Sequence, residues 1–432
     1  MSNETETRIV RRPASREAKT LAADICVLGA GISGVSAALE AARLGRRVVL
    51  VDGAPALGGQ AIGSIIGTII GLYTHGPHPY QITHGIADDL INDLTGEGSL
   101  HRRASMTGTV TFQYDEVRLG RWMERKVDEA GVQVLVGAVL TAAAFKTRRM
   151  QHLELATRFG AVRVEAQGFV DSSGDACLSY EAGLEVREPD APVFGSLNFL
   201  IEGYDTEGVK DLAIKDVHAR LTERGDAYGL VRHDGFLMHF PGKDFMLANV
   251  THLETPLDPL SAAAMVSEGR RQADSVMRFL KAELPAIFAT ARIRTYGNPG
   301  LRQTRWIVGR RQLTLDEIRS AKRPADAVAR CAWWVELHNA QDLVHWERFE
   351  PDHVYYIPLG CMVPREADNI VTAGRCVDAD VHALSAIRVM GPCIAMGAAA
   401  AHSLDLAGSG SVHEVDLTAL QRRLHDNLER KD

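Results

Sequence analysis

Residues 24–28, Asp-Ile-Cys-Val-Leu, form a short apolar run of the kind that a strand buried on both faces requires. Immediately after it, Val35, Ala38, Leu39 and Ala42 recur at helical spacing on one face, and Gly45 closes that stretch as a left-handed cap. A second apolar run, residues 47–52, ends in an acid, Asp52. The three pieces predict a βαβ unit of about 30 residues. Farther on, the period over 115–130 predicts an amphipathic helix that stops at Gly131, followed by a strand at 132–136. Short β segments over 138–166 suit a small crossover sheet, with the main strand returning at 169–171. From Arg187 the pattern changes to longer alternating strands at 196–201 and 235–240, then a helix near 260–281. Residues 63–113 read as mostly loop that borders an active site, and the charged tail beyond 407 reads as a surface helix. The chain carries neither an internal repeat nor a low-complexity block.

At 432 residues, two lobes are expected rather than one core. Hydrophobic residues make up 46% and charged residues 24%, as in an ordinary globular protein. Lys and Arg number 48 against 55 Asp and Glu, and the resulting net charge of −7 argues against a nucleic-acid partner. No apolar run reaches the roughly 18 to 20 residues of a membrane helix, so no membrane association is expected. Arg11-Arg12 resembles the start of an export signal, but cleavage after the short run at 25–28 would destroy the glycine motif beside it, so cytoplasm is the expected location. Cys26, Cys177, Cys331, Cys361, Cys376 and Cys393 include no C-x-x-C pair and read as reduced core residues.

The chemistry lies in the turn between the first strand and helix, Gly29-Ala30-Gly31-Ile32-Ser33-Gly34. Gly29 permits a tight turn, Gly31 lets the backbone approach a pyrophosphate, and Gly34 allows close helix packing. The helix N-terminus then faces the phosphates with free N–H groups and the positive dipole end. Asp52 is spaced to accept hydrogen bonds from ribose hydroxyls. A second glycine pair, Gly58-Gly59 followed by Gln60, suits an extended FAD better than NAD, because the backbone can run beside a second phosphate and the ribityl chain.

From Asp24 to Gln60 the chain resembles the glutathione-reductase-like class of FAD proteins. Residues 168–176, Gly-Phe-Val-Asp-Ser-Ser-Gly-Asp-Ala, resemble the "strand, then D-x-S/T-G-D" segment of a subgroup known simply as FAD-dependent oxidoreductases. Residues 302–309 are similar to its "R-x-S/T-R" segment, 368–376 to its "DN-x-x-x-AGR-C" segment and 386–393 to its "RVM" helix start. The resemblance implies an α/β fold, α+β overall: a Rossmann-like FAD-binding domain with an inserted mixed-sheet substrate domain. On this basis residues 1–21 are a polar arm, 22–186 the first part of the FAD domain, 187–349 the substrate lobe, and 350–432 the second part with the C-terminal helix. It further implies that Gly29, Gly31, Ser33 and Gly34 meet the pyrophosphate region, Asp52 the adenosine ribose, and Gly58, Gly59 and Gln60 the inner cofactor. Gly174 and Asp175 close the nucleotide side, Gly374 and Arg375 approach the pyrophosphate or ribityl chain, and the helix opening at Met390-Gly391 points toward the flavin. Two positions depart from the pattern: Asp52 stands where Glu is common, and Pro358-Leu359-Gly360 lacks the arginine that relatives often carry there.

For catalysis, His75 and His78 are candidate bases, and Arg305 is the candidate anchor for a substrate carboxylate. His338 and Tyr356 are further candidates at the lobe junction. No metal is expected, since His75-x-x-His78 lacks a third ligand and Pro77 breaks helical spacing. The leading expectation is a dehydrogenase or oxidase passing a hydride from a small organic substrate to flavin. A hydroxylase using NAD(P)H and oxygen, and an electron-relay subunit of a hetero-oligomer, are the alternatives; a homo-oligomer is equally compatible with the sequence.

Overall fold

The protein is described by a computed structural model covering residues 17–105, 108–240, 242–339 and 344–431, with residues 7, 9 and 11. Most of the expected polar arm, Arg12 included, lies outside the described residues.

One seven-stranded sheet organises the larger lobe. Its parallel part runs Gln133–Val136, Val48–Asp52, Lys19–Leu28, Gly160–Asp171, Ile370–Thr372. Leu28 sits level with Val51 on one side and Asp171 on the other, and Asp171 is level with Thr372. The strand ends therefore form one edge, from which Gly29, Ser172 and Ala373 emerge together; ligands of open α/β sheets sit at this edge. The first strand begins at Lys19, earlier than its apolar run, because Lys19–Ala23 pair with Val162–Ala166 of the long partner strand. That partner is one continuous strand rather than a crossover segment followed by a separate one. Its first half pairs antiparallel with Arg149–Thr157, and its last three residues pair with Ile370–Thr372.

The helix Ile32–Arg43 packs against Met390–Ala407, a helix buried along almost its whole length. Gly397 makes this approach possible: a Cβ there would lie 2.2 Å from the Ser33 carbonyl oxygen. Among the described residues no single helix is long and apolar enough to cross a membrane.

The smaller lobe is a four-stranded antiparallel sheet, in the order Phe236–His239, Phe245–Asn249, Ser196–Glu202, Arg292–Gly300, with the helix Pro259–Glu283 packed on it. It has its own core of Leu197, Phe199, Ile201, Met246, Phe279 and Phe288. Trp306, Val328, Trp333 and Val335 instead join the core of the larger lobe, so apolar packing draws the border near residue 301 rather than at 349. Residues 63–113 are more ordered than a loop. They hold the small sheet Thr68–Ile69, Val110–Tyr114, Leu100–Ala104 and the helix Ile86–Gly96, which buries Ile86, Leu90 and Leu94.

The C-terminal tail departs from the surface-helix expectation. It forms two short helices, Leu417–Arg423 and His425–Glu429, joined at Leu424; Leu420, Leu424 and Leu428 are buried. Arg330, only 2% exposed, lies beneath them and donates to the carbonyls of Asp426, Asn427 and Arg430 at 2.7–3.0 Å. A charged donor shared by three carbonyls locks the tail to the strand Ala327–Cys331. Replacing it with a neutral side chain of similar length leaves those acceptors without a partner in the interior. Arg330→Met is expected to destabilise the chain by about 3 kcal/mol in urea unfolding, and a loss under about 1 kcal/mol would show that the clamp is dispensable.

Candidate functional site

The sheet edge builds a cradle from main-chain atoms. Gly29 turns at φ +94°, and a Cβ there would lie 2.3 Å from the Ser172 carbonyl oxygen. At Gly34 a Cβ would fall 1.8 Å from the Gly29 carbonyl oxygen, so helix and turn touch backbone to backbone. Gly31 differs from both. Its φ of −69° is open to any residue, and nothing stands within 4 Å of where its Cβ would be. It is the N-cap of Ile32–Arg43 and contributes no capping side chain, so the first turn of that helix faces open space. Open space before uncapped N–H groups fits a diphosphate. The second glycine pair packs on the first: the Gly58 N–H donates to the Ala30 carbonyl at 2.8 Å, and a Gly59 Cβ would lie 2.9 Å from the Gly31 Cα. Gln60 stands half-buried in the short helix that follows.

Asp52 holds the cradle's shape. One carboxylate oxygen accepts the Ala30 N–H at 2.6 Å and the other the Ala54 N–H at 2.7 Å. Carboxylate oxygens carry further lone pairs, so a ribose contact is compatible with these bonds. On the other side, the fully buried Asp171 accepts from the Ser173 N–H and hydroxyl and from the Leu178 N–H, and burial raises its carboxyl above the usual range. The Cys376 sulfur accepts the N–H groups of Gly174 and Ala176 at 3.1 and 3.4 Å, tying the last strand's exit to this turn. Arg375 lies over Gly174, where a Cβ would come within 2.1 Å of its guanidinium, and Asp175 accepts the Thr304 hydroxyl. Ser33 borders Gly374, which has φ +76°. At Met390–Ala407 the Gly391 N–H is already engaged by the Ile70 carbonyl at 2.9 Å, so residues 70–71 cover part of the turn expected to face the flavin.

The candidate catalytic residues separate into two groups. His75 is buried, stacked on Trp334 with centroids 4.3 Å apart and near Trp333 at 5.3 Å. Burial pulls its imidazole down to about 4, opposed in part by the Ala332 main chain. His338 is 1% exposed, and its Nε2 lies 3.2 Å from a Glu336 carboxylate oxygen. Burial, and then the positive charge of Arg302, Arg388 and Arg232, holds it well below the ordinary histidine range. A carboxylate only accepts, so Nε2 carries the hydrogen and Nδ1 presents a lone pair, without a partner in the structure.

The other three are placed elsewhere. His78 is exposed on its loop. Tyr356 lies under the Arg323 guanidinium, and the neighbouring strand presents Arg330 to the C-terminal tail rather than to this junction. Arg305 does not reach the junction: its guanidinium stacks 3.9 Å over the ring of Tyr180. Residues 302–305 form a bend and irregular backbone ahead of Trp306–Ile307, and the two arginines leave it toward different partners. Arg302 takes the inward position and donates to the Phe194 carbonyl at 2.7 Å and the Ser196 hydroxyl at 3.1 Å.

Arg388 was not singled out by sequence, although it stands in the "RVM" segment. It is partly buried against the same junction, with Nη2 donating to the Glu336 carbonyl at 2.9 Å and Nε without a partner among the described residues. Glu336 itself was also missed; its two oxygens are occupied by Trp333 Nε1 at 3.1 Å and His338 Nε2. Its place beside His338 in an alternating strand was the available signal.

The profile of a family described as FAD dependent oxidoreductase matches residues 24–424. No curated protein matches the chain in sequence. Among solved structures, it is similar to a geranylgeranyl bacteriochlorophyll reductase-like protein from Thermoplasma acidophilum, at 11% identity and TM-score 0.48, covering 95% of this chain and 85% of that one. A flavin-dependent brominase is similar at 13% identity and TM-score 0.47, covering 94% and 83%. An anhydrotetracycline hydroxylase from Streptomyces rimosus is similar at 12% and 0.44, covering 90% and 61%.

The environment of His75 has a measurable consequence. The unfolded chain binds its proton near 6.5 and the folded chain only near 4, so the unfolded state gains protons first as pH falls. Stability is therefore complete above 6.5 and is lost progressively between 6.5 and 4. In urea unfolding, moving from about pH 7.5 to about pH 5 should cost the parent chain about 2 kcal/mol more than His75→Gln; equal losses in both would place His75 in water.

Proposed function

The chain belongs to the FAD-dependent oxidoreductase family, and from that premise we propose that it is a dehydrogenase or oxidase that removes a hydride and a proton from a small organic molecule at the junction of its two lobes. The finer placement, within the glutathione-reductase-like subgroup marked by Gly29–Gly34, Asp171–Asp175 and Gly374–Cys376, is part of the same proposal and rests on those motifs. Bound FAD supplies the hydride acceptor. The observation that carries the reading is the space before Gly31: the fold leaves it empty of its own atoms, while Gly29 and Gly34 are locked by backbone contacts.

The chain's own residues would divide the work as follows. Gly31 and the first turn of Ile32–Arg43 take the diphosphate, Asp52 fixes the loop that presents them, and Gly58-Gly59 brings a second stretch of backbone alongside. His338 is the base, accepting the substrate proton at Nδ1. Glu336 positions it by holding the Nε2 hydrogen, the arrangement by which a carboxylate selects an imidazole tautomer. Burial keeps this imidazole neutral and ready to accept at neutral pH. His75 is a second neutral imidazole at the same junction, held by the Trp333 and Trp334 rings. Cytoplasmic location remains part of the proposal, as does action on a small molecule rather than on nucleic acid or membrane.

Gly31 gives a clean test of the cofactor. Gly31→Ala should leave thermal unfolding of the FAD-free chain unchanged while weakening FAD binding on the order of tenfold to a hundredfold. Gly34→Ala should instead lower the stability of the FAD-free chain itself, because its Cβ has no place to go. Equal FAD affinity in Gly31→Ala and parent would remove the cradle from the argument. For the reaction, anaerobic mixing of the FAD-loaded protein with a panel of small organic substrates, without nicotinamide, should bleach its visible band. Bleaching by NAD(P)H alone would replace this reading with the hydroxylase one.

A further inference from the structure

Arg302 and Arg388 present a problem that the fold leaves unsolved. Both are partly buried at the lobe junction, and desolvation holds both guanidiniums below their ordinary range, Arg302 most strongly. Among the described residues neither forms an ion pair; their bonds go to the Phe194 carbonyl, the Ser196 hydroxyl and the Glu336 carbonyl. Each also feels the other cations of the cluster: Arg302 feels Arg388 and Arg232, and Arg388 feels Arg375. The nearby acids offset this only through space: Glu336, which also accepts from Trp333 and His338, and Asp234, bonded to Arg232 at 2.6 Å and to the Val344 N–H, favour the charged guanidiniums, but neither carboxylate is hydrogen-bonded to Arg302 or Arg388 among the described residues. Carbonyls solvate a guanidinium but do not neutralise it, and buried charges in proteins are as a rule paired. Arg388 Nε, a donor inside the protein without an acceptor, marks where an acceptor is missing.

We propose that Arg302 and Arg388 together bind the carboxylate of the substrate, so that the molecule oxidised is a small organic acid presented to His338. The assignment rests on the flavoprotein reading above and narrows it. The cofactor's diphosphate is a poor candidate for this counter-charge, because its cradle lies at Gly29–Gly34, where Arg375 rather than Arg302 or Arg388 covers the neighbouring Gly174. A carboxylate fits for three reasons. Guanidinium forks match its planar geometry. Two cations around one anion, with water excluded, give strong charge-assisted bonds. The base then lies beside the anchor, since Arg388 donates to the main chain of the same Glu336 whose carboxylate orients His338. Burial first, and then the positive charge of Arg302, Arg388 and Arg232, keeps His338 neutral; the substrate would offset the second of these, so binding would raise the basicity of His338 when the proton is to be taken.

Sodium benzoate and sodium acetate serve as probes on the FAD-loaded protein, with sodium chloride and sodium phosphate as controls. Two readouts are used: the change in the flavin's visible spectrum and the thermal midpoint. Saturable change in both with a carboxylate, and none with chloride or phosphate at equal ionic strength, is expected. Arg302→Met and Arg388→Met should each weaken benzoate binding on the order of 30-fold, Arg302→Lys and Arg388→Lys less, and Arg305→Met not at all. The lysine variants keep the charge and guard against a variant that fails to fold. A protein that takes up FAD but ignores both carboxylates, or answers chloride and phosphate equally, overturns this assignment alone. A chain that takes up no FAD removes the reading beneath it as well.

Discussion

The larger lobe depends on one close approach, between the Gly34 Cα and the Gly29 carbonyl. Because no side chain separates them, Ile32–Arg43 starts directly on the end of the central strand instead of one side-chain layer above it. That height sets the rest. It brings Ser33 against Gly374, lets Gly397 pass the Ser33 carbonyl, and so allows Met390–Ala407 to lie in the core. The two elements are more than 350 residues apart in sequence, as the Ser36 hydroxyl bonded to the Ile394 carbonyl illustrates. A methyl group at position 34 would thus disturb a contact that brings both halves of the chain to one edge. Gly31, two residues past Gly29 and free of any such contact, serves no comparable purpose in the fold, which is why its conformation is best understood as room for something else.

The same edge explains the sharing of polar work. Asp52 and Asp171 end the two strands that flank Lys19–Leu28, and each spends its oxygens on backbone N–H groups: Asp52 on Ala30 and Ala54, Asp171 on Ser173 and Leu178. Turns made mainly of glycine and serine have little apolar surface to bury, so their shape must come from hydrogen bonds. Cys376 extends this pattern. Its thiol, fully buried and held by burial well above its ordinary range, accepts two N–H groups of the 174–176 turn and remains a neutral sulfur. A cysteine in this role is structural, and its environment is the opposite of what a reactive thiolate needs.

Legibility in the sequence followed the range of the interactions. The βαβ unit was readable because its strand, turn, helix and acid are set by neighbours within a few dozen residues. The division of the smaller lobe was less so. Residues 302–349 mix short strands with the helix Leu315–Ser320, and only the packing of Trp306, Val328 and Trp333 shows which core they join. The tail was misjudged because its charge drew attention away from Leu417, Leu420, Leu424 and Leu428, a three-and-four spacing that marks a buried stripe. At the junction, the segment 302–309 is legible, but not that Arg305 stacks on Tyr180 while Arg302 bonds to Phe194 and Ser196. Composition makes Arg302 and Arg305 equal; only the direction of the chain, fixed by the pairing of Trp306–Ile307 with Val186–Arg187, distinguishes them.

That distinction bears on why motifs in such a chain speak for the cofactor and not for the substrate. A dinucleotide bound by this kind of turn is held largely by main-chain atoms, so its requirements appear as glycines at fixed spacing and survive translation into a pattern. The junction is built from side chains on separate elements, Arg302, Glu336, His338 and Arg388, whose spacing in sequence carries no information about their spacing in space. What identifies them is an energetic inconsistency: partly buried cations hydrogen-bonded only to neutral acceptors, beside a carboxylate bonded to Trp333 and His338 instead. A fold stable by only a few kcal/mol can carry such an arrangement only if neutral acceptors and neighbouring burial offset much of its cost. An arrangement kept against that cost is more economically explained by a ligand that completes it than by the stability of the fold alone.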